Sequence, residues 1–160
     1  MYRNIYKIIA APLVNMGPIQ LRQPIPIAGT DQISPFLLLH QFDIMMEPGH
    51  SNFDVPPHPH RGFMPITFMY EGAVEHEDSL GNTKVIGNNE VQWINAARGI
   101  MHSEQTGKEF AKKGGRFHGI QLWINLPAAE KMDTPSYQPI KKDEIVLMEK
   151  DGIQFRLSTG

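Results

Sequence analysis

Glycine and proline divide this chain into short segments. The sequence has 14 glycines and 13 prolines among its 160 residues, and the runs between them are rich in Ile, Val, Phe, Tyr and Thr. Short runs of β-branched and aromatic residues bounded by turn residues are typical of strands, and many such strands favour a sandwich or barrel. The sequence therefore predicts an all-β fold, with one short helix near Ala128–Met132.

Eight segments carry the strand pattern before the C-terminal region. They are Ile5–Ala10, Phe36–Met45, Ile66–Glu71, Ala73–Glu77, Lys84–Ile86, Glu90–Ile94, Ile100–Gln105 and Arg116–Leu126. The segment from Glu47 to Pro57 has the composition of a loop, because it contains Pro48, Gly49 and two successive prolines. Near the C-terminus, Asp151–Gly152 predicts a turn and Ile153–Leu157 a further strand.

Composition excludes several classes of function. A chain of 160 residues can form one domain with a sizeable core. The net charge of −2 gives no basic surface for nucleic acid or an anionic membrane, and no segment approaches the ~20 apolar residues of a membrane span. The absence of cysteine excludes disulfides, thiolate metal sites and cysteine nucleophiles. We therefore expect a cytoplasmic protein that binds neither nucleic acid nor membrane.

Two pairs of metal-binding side chains lie about forty residues apart. His58 and His60 form one pair, and His102 and Glu104 form the other. Because side chains at i and i+2 of a strand point to the same face, each pair presents both members to one side. If the two strands lie next to each other, the four side chains converge on a single ion.

Three imidazoles and one carboxylate form a mixed nitrogen and oxygen ligand set. This set suits Fe(II), Mn, Co, Ni, Cu or Zn better than Mg or Ca. On a six-coordinate ion the four ligands leave two positions open, which an iron centre can use for substrate and dioxygen. A four-coordinate zinc would be filled and would be structural. At this point both a catalytic and a structural metal agree with the sequence.

Prolines surround the first pair of histidines. Pro56 and Pro57 fix φ ahead of His58, and Pro59 cannot donate a hydrogen bond to a neighbouring strand. We therefore expect this segment at the edge of a sheet or at the start of a strand. Three large side chains near the motifs either line a cavity or fill the core: Phe63, Trp93 and Gln121.

Four other histidines are interpreted as structural or surface residues. His40 follows three leucines and is expected to be partly buried, whereas His50 lies in the proline- and glycine-containing segment and is expected to be solvated. His76 stands between two glutamates, which indicates an exposed polar edge. His118 alternates with apolar residues, which indicates a hydrogen-bonded core histidine.

Several motifs occur in a fixed order along the chain. They are Ser34–Leu39, Pro57–Phe63, His76–Ser79, Val91–Ile94, Ala97–Glu104 and His118–Pro127. In these motifs the sequence resembles the pirin family, a branch of the cupin superfamily, and the ordered matches run from about Ser34 to Tyr137. The resemblance implies a cupin-type double-stranded β-helix, or jelly-roll barrel. It also implies a metal, usually iron, bound by His58, His60, His102 and Glu104.

The resemblance implies two classes of function. Some pirins are described as quercetin 2,3-dioxygenases, which predicts Fe(II), a flavonoid-like aromatic substrate and dioxygen, with Glu104 as the catalytic base. Others are described as nuclear redox-sensing transcriptional co-regulators, which predicts a non-enzymatic protein whose metal controls binding to a protein partner. A metal that only stabilises the barrel is the third alternative. Zn, Ni, Co, Mn and Cu remain open beside iron, and so does whether the protein is an enzyme.

The chain departs from the family pattern in three respects. Phe63–Met64–Pro65 stands where pirins usually have Phe-Glu-Thr, so a polar group near the site is expected to be missing and the strand to be perturbed. Asn95–Ala97 is less rich in glycine than usual. Pirins normally have two cupin domains, whereas here residues 1–150 would form the N-terminal cupin domain and residues 151–160 would resemble the start of the second. An absent second domain would expose an interdomain surface, which favours either a homodimer or an unstable domain.

Overall fold

Thirteen strands form nearly all of the regular structure in the part of the chain that the structure describes. The computed structural model describes residues 4–5, 7–29, 33–50 and 53–158. The strands are β1 (Leu13–Met16), β2 (Ile19–Ile25), β3 (Phe36–Met46), β4 (Asp54–His60), β5 (Phe63–Glu71), β6 (Val74–Asp78), β7 (Thr83–Ile86), β8 (Val91–Asn95), β9 (Ile100–Thr106), β10 (Gly115–Asn125), β11 (Ser136–Ile140), β12 (Val146–Lys150) and β13 (Ile153–Leu157). One α-helix, α1 (Lys108–Lys113), and a single 3-10 turn, Ala128–Glu130, are found in the same ranges.

The strands pair in antiparallel sheets. A seven-stranded sheet has the order β1-β2-β3-β10-β5-β8-β11, and a four-stranded sheet has the order β4-β9-β6-β7. Strands β12 and β13 form a separate hairpin whose residues are exposed along both strands. The all-β prediction is confirmed, and the order of the second sheet places β4 and β9 next to each other.

The main core lies between the two large sheets. Phe117 of β10 stacks on Phe42 of β3 at a ring distance of 4.8 Å and contacts Phe53 at 5.1 Å. Val74 and Ile86 come from the four-stranded sheet and are buried in the same cluster. Burying an apolar side chain of this kind stabilises the fold by about 1.5–3 kcal/mol, so the cluster holds the two sheets together.

Most predicted strands are confirmed within one to three residues, but Ile5–Ala10 is wrong. The described residues of that segment form no strand, Tyr6 lies outside the described residues, and Ile5 and Ile8 are exposed. A strand requires a neighbour with which to exchange backbone hydrogen bonds, and the first such pair is β1 with β2. The helix predicted at Ala128–Met132 is only a 3-10 turn, and α1 was missed because it is six residues long. No helix in the described ranges has the length and apolar character needed to cross a membrane.

The proline-containing segment lies at a sheet edge, as predicted. β4 is the outermost strand of its sheet and pairs with β9 alone. The register shifts between Val55 and His58, around Pro56 and Pro57, where no ladder hydrogen bond can be donated. The loop prediction for residues 47–57 is therefore wrong in its last part, because β4 already begins at Asp54.

Candidate metal centre

The antiparallel pairing of β4 and β9 brings the two sequence motifs together. His58 lies directly opposite His102, and His60 lies opposite Ile100. His60 and His102 are buried at 7% and 2% exposure, while His58 is half-buried. Ring nitrogens of these three histidines lie within 4.8 Å of one another. The alternation of strand side chains thus brings three of these four residues, from two distant motifs, into one cluster of imidazoles.

The geometry of His58 leaves a lone pair for a ligand. Its Nδ1 lies 2.9 Å from the carbonyl oxygen of Pro56. A carbonyl oxygen can only accept, so Nδ1 carries the proton and Nε2 of the neutral ring carries the lone pair. That Nε2 lies 3.1 Å from Nε2 of His60. The two nitrogens therefore converge at a separation that suits two ligands of one ion.

His102 has a buried nitrogen that lacks a partner. Within the described residues, its Nε2 is the one buried side-chain nitrogen or oxygen without a hydrogen-bond partner. An unpaired buried polar atom costs free energy, so such atoms often mark a missing ion or water. A metal ion of the kind that imidazole prefers would satisfy this nitrogen together with those of His58 and His60. The residues present therefore fit a bound transition metal.

Burial keeps the two deepest histidines neutral. Desolvation, together with the nearby charge of His58, lowers the pKa of His60 to about 4. Desolvation also lowers the pKa of His102 to about 3, with additional repulsion from His60, His58 and His76. Metal ligation requires neutral imidazole. Both rings thus keep the ligating form throughout the neutral pH range.

The side chain of Glu104 is buried beside the histidine cluster. Its carboxylate accepts hydrogen bonds from Gln92 Nε2 and, at 3.4 Å, from Gln121 Nε2. Burial raises the pKa of Glu104 to about 7, although the two amides oppose this shift. A carboxylate oxygen of Glu104 lies within 4.8 Å of ring nitrogens of His76 and His102. In the part of the chain that the structure describes, Glu104 thus groups with His102 and His76 rather than with all three histidines of the first cluster.

His76 is buried, so the prediction of an exposed edge is wrong. Its side chain is fully inaccessible, stacks on Tyr137 at a ring distance of 4.1 Å, and reaches Asp78 and His102. The error has a physical cause. β6 lies between β9 and β7, and His76 points inward from it in step with Val74, an alternation that the flanking glutamates concealed.

The remaining histidines lie outside the cluster. His40 is half-buried with its Nε2 2.7 Å from Gln23 Oε1, and His50 is exposed, so both predictions are confirmed. His118 is half-buried against Tyr70 on the outer side of β10, so its assignment to the core is wrong.

An apolar cavity of about 260 Å³ opens beside the histidines. Its polar lining comes from His58, His60, Glu104, Gln121, Thr67 and His40. Its apolar lining comes from Met16, Leu21, Leu38, Phe42, Phe53, Val55, Val74 and Trp123. A largely apolar cavity with a few convergent polar groups is the usual form of a small-molecule site.

The sequence identified the cavity lining only in part. Gln121 lines it, whereas Phe63 stacks on Trp123 at 4.5 Å and Trp93 donates from its indole nitrogen to the sulfur of Met64 at 3.2 Å. Met64 packs in a second hydrophobic cluster on the other face of β5, so the expectation that it changes the site is wrong.

Pro65 does not perturb its strand. β5 runs without interruption from Phe63 to Glu71, and Pro65 pairs with β10 alone. The pairing of β5 with β8 begins only at Ile66, so Pro65 replaces no hydrogen-bond donor of that ladder.

The metal-free protein is expected to lose stability as the pH falls below about 6.5. In the unfolded chain His60 and His102 bind protons near pH 6.5, but in the folded protein they do so only near pH 4 and pH 3. The unfolded state therefore binds more protons in this window, and stability rises with pH by about 1.4 kcal/mol per pH unit for each histidine. Between pH 4.5 and about 7 Glu104 has the opposite effect on stability, because burial raises its pKa in the folded protein and the folded state then binds the additional proton. In that range it cancels the contribution of one of the two histidines.

Thermal unfolding of chelator-treated protein at a series of pH values checks this prediction. The melting temperature should rise between about pH 4.5 and 6.5, and His60→Gln should reduce the slope. His118→Gln is the control, because that ring is half-buried outside the cluster. A wild-type melting temperature that is constant over the window would contradict the prediction.

Comparison with known proteins places this cupin β-sandwich in a family. The family model Pirin matches residues 19–124, and the chain belongs to the pirin family. A pirin-like protein of Caulobacter vibrioides is 36% identical over 151 residues, which cover 94% of this chain and 53% of the relative.

Two solved structures extend the comparison. Quercetin 2,3-dioxygenase from Acinetobacter baumannii superposes with a TM-score of 0.83 at 28% identity, covering 94% of this chain and 48% of that one. The bacterial pirin YhhW from Escherichia coli, in complex with nickel(II), superposes with a TM-score of 0.63 at 27% identity, covering 81% and 53%. The chain thus spans about half the length of these relatives.

Proposed function

We propose that this pirin is a metal-dependent dioxygenase of the quercetin 2,3-dioxygenase type. The observation that carries the proposal is the junction of the histidine cluster with an apolar cavity, because His58 and His60 belong to both. A structural metal requires no cavity beside it, whereas a catalytic metal needs room for a substrate. The solved dioxygenase from Acinetobacter baumannii supports the same reaction class.

The proposed ligands are His58, His60, His102 and Glu104, with Fe(II) as the metal. Three neutral imidazoles and a carboxylate suit iron, and they also suit Zn, Mn, Co, Cu and the nickel bound by the Escherichia coli relative. Iron bound there would supply the activation of dioxygen and of the substrate. The protein's own residues would bind and orient the substrate, exclude water and accept a proton.

Glu104 is the proposed base as well as a ligand. In the metal-free protein burial raises its pKa to about 7, so near neutral pH it can take up a proton through an oxygen that no metal ion occupies. Gln92 and Gln121 donate to its two oxygens and hold it at the cavity wall. A phenolic or enolic hydroxyl placed near Gln121 would lie within reach of this carboxylate.

The proposed substrate is a flavonoid-like aromatic molecule. Phe42, Phe53 and Trp123 supply large apolar walls, while Thr67 and Gln121 offer polar contacts. The volume of about 260 Å³ lies just below the ~300–1,000 Å³ common for small-molecule sites, which favours one compact aromatic ligand.

Anaerobic loading with Fe(II), followed by oxygen uptake in the presence of quercetin, tests the proposal. Oxygen consumption is expected only when both iron and quercetin are present, and zinc-loaded protein is the control. Full iron occupancy without oxygen consumption would contradict the dioxygenase assignment.

Metal-dependent binding of a protein partner is the second candidate function. The β12–β13 hairpin supports it, because Leu147 and Phe155 are exposed at 55% and 42% outside the two main sheets. The same surface would serve a homodimer, and the division into residues 1–150 and 151–160 falls at the turn of this hairpin. Dimerisation, that division and a cytoplasmic location stay predictions. Equal partner capture by metal-free and metal-loaded protein would exclude the redox-sensing mechanism.

A further inference from the structure

A buried chain of hydrogen bonds leads from β6 to the histidine cluster. Asp78 Oδ2 lies 3.0 Å from His76 Nε2, and His76 Nδ1 lies 3.3 Å from His102 Nδ1. The side chains of His76 and Asp78 are both inaccessible to solvent. β6 and β9 are neighbouring strands, with Asp78 opposite His102 and His76 opposite Glu104. The chain therefore crosses between two strands and ends on the ring whose other nitrogen has no partner.

Asp78 determines which ring nitrogen of His76 carries the proton. Its Oδ1 accepts from the backbone nitrogens of Leu80 at 2.9 Å and Asn82 at 3.1 Å, and the Asn82 amide donates to both of its oxygens. A carboxyl group that accepts from so many donors acts as a carboxylate, which can only accept. His76 Nε2 must therefore carry the proton that it shares with Asp78.

The tautomer of His102 follows from that of His76. With its proton on Nε2, a neutral His76 has a lone pair on Nδ1, so His102 must donate from its own Nδ1. A neutral His102 then has a lone pair on Nε2. The opposite arrangement would leave a buried N–H on Nε2 without an acceptor, which is the costlier outcome.

We propose that His76 and Asp78 are positioning residues that fix His102 with its proton on Nδ1 and present its Nε2 lone pair to the metal. This inference rests on the metal site of the proposed function. The same device operates on His58, whose Nδ1 donates to the carbonyl oxygen of Pro56. Histidine ligands generally donate their second N–H to a carboxylate or carbonyl, and loss of such partners costs about 10–100-fold in metal affinity.

A competing assignment makes His76 itself a ligand. His76, His102 and Glu104 form a second group whose ligand atoms lie within 4.8 Å of one another. In that assignment Nδ1 of His76 would face the ion, and the metal would be bound by two imidazoles and Glu104 instead of three imidazoles and Glu104. The two assignments therefore differ in the number of histidines bound and in the proton position on the metal-free His102 ring.

Nitrogen NMR of the imidazole rings in metal-free protein tests the inference directly. We expect His102 to be protonated on Nδ1 and unprotonated on Nε2 in the wild type. A ring protonated on Nε2 would overturn the inference. This measurement uses the unaltered protein, so it remains decisive even if a variant fails to fold.

Calorimetric titration with Ni(II) tests the effect on affinity. His76→Gln and Asp78→Asn are expected to bind Ni(II) about 10–100-fold more weakly than the wild type. Asp43→Asn and His118→Gln are matched controls on the outer face of the seven-stranded sheet and should bind like the wild type.

The possible outcomes distinguish a failure of the positioning role from a failure of the proposed metal site. Wild-type protein that binds no Ni(II) would defeat the proposed metal site. If the wild type binds Ni(II) and both variants bind it with the same affinity, only the positioning role is overturned. X-ray absorption showing two or four imidazoles on the metal, where the inference requires three, would also overturn it.

Discussion

Replacing His102 by alanine is expected to abolish stable metal binding. His102 is the ring that both groups of potential ligands share, so its loss leaves only two side chains in each group, His58 with His60 and His76 with Glu104. Removal of a hydrogen-bonded partner of a ligand costs about 10–100-fold, and removal of the ligand itself should exceed that range. After loading with Ni(II) and gel filtration, the variant should retain far less than one equivalent of metal, as measured by elemental analysis.

The controls for this experiment follow from the fold. His118→Ala removes a half-buried histidine that packs against Tyr70 and should retain the wild-type metal content. His102→Gln fills more of the buried volume than alanine does, so it separates loss of the ligand from loss of packing. Retention of a full equivalent of Ni(II) by both His102 variants would contradict the prediction and show that the protein binds the metal at another site.

The two pairs of metal-capable side chains were predictable because strand geometry is local. The spacing of His58 from His60, and of His102 from Glu104, fixes which side chains share a face whatever the rest of the fold. The prolines likewise predicted an edge strand, since proline lacks an N–H regardless of context. These features depend on the residues themselves, so the sequence reveals them.

The errors concern pairings between distant segments. The charged neighbours of His76 indicate a surface position, yet its ring points inward from β6 and stacks on Tyr137. The motif around Met64 indicates a position beside the site, although the register of β5 turns Met64 to the other cluster. A one-residue change of register exchanges the two faces of a strand, and the register depends on partners that a local pattern does not show.

The position of Glu104 also depends on such distant partners. The i and i+2 rule places it on the face of His102, but Gln92 of β8 and Gln121 of β10 bind its carboxylate from the opposite sheet. The sequence alone gives no sign that these two amides meet one carboxylate. Non-local packing thus determines where the carboxylate of Glu104 lies and which groups it contacts.

Gly119 is the position in the core where a single added methyl group should have the largest effect on stability. It lies in β10 between β3 and β5, and a Cβ there would lie 2.5 Å from Cζ of Phe42 and 2.6 Å from the carbonyl oxygen of Phe68. Phe42 stacks on Phe117 and lines the cavity, and the Phe68 carbonyl belongs to a central strand. Neither neighbour can move without disturbing the core.

Gly119→Ala is therefore expected to lower the free energy of unfolding by about 3 kcal/mol, at the upper end of the usual cost of overpacking. Gly87→Ala is the matched control, because the nearest atom to a Cβ there is 3.9 Å away, and its expected change is within about 0.5 kcal/mol. Denaturant unfolding of both variants measures the difference.

Combining Gly119→Ala with Phe42→Leu should lower the free energy of unfolding by less than the sum of the two single changes, because the smaller side chain removes one of the two clashes. Equal stability of Gly119→Ala and Gly87→Ala would show that β10 and β3 are packed less closely than the structure indicates.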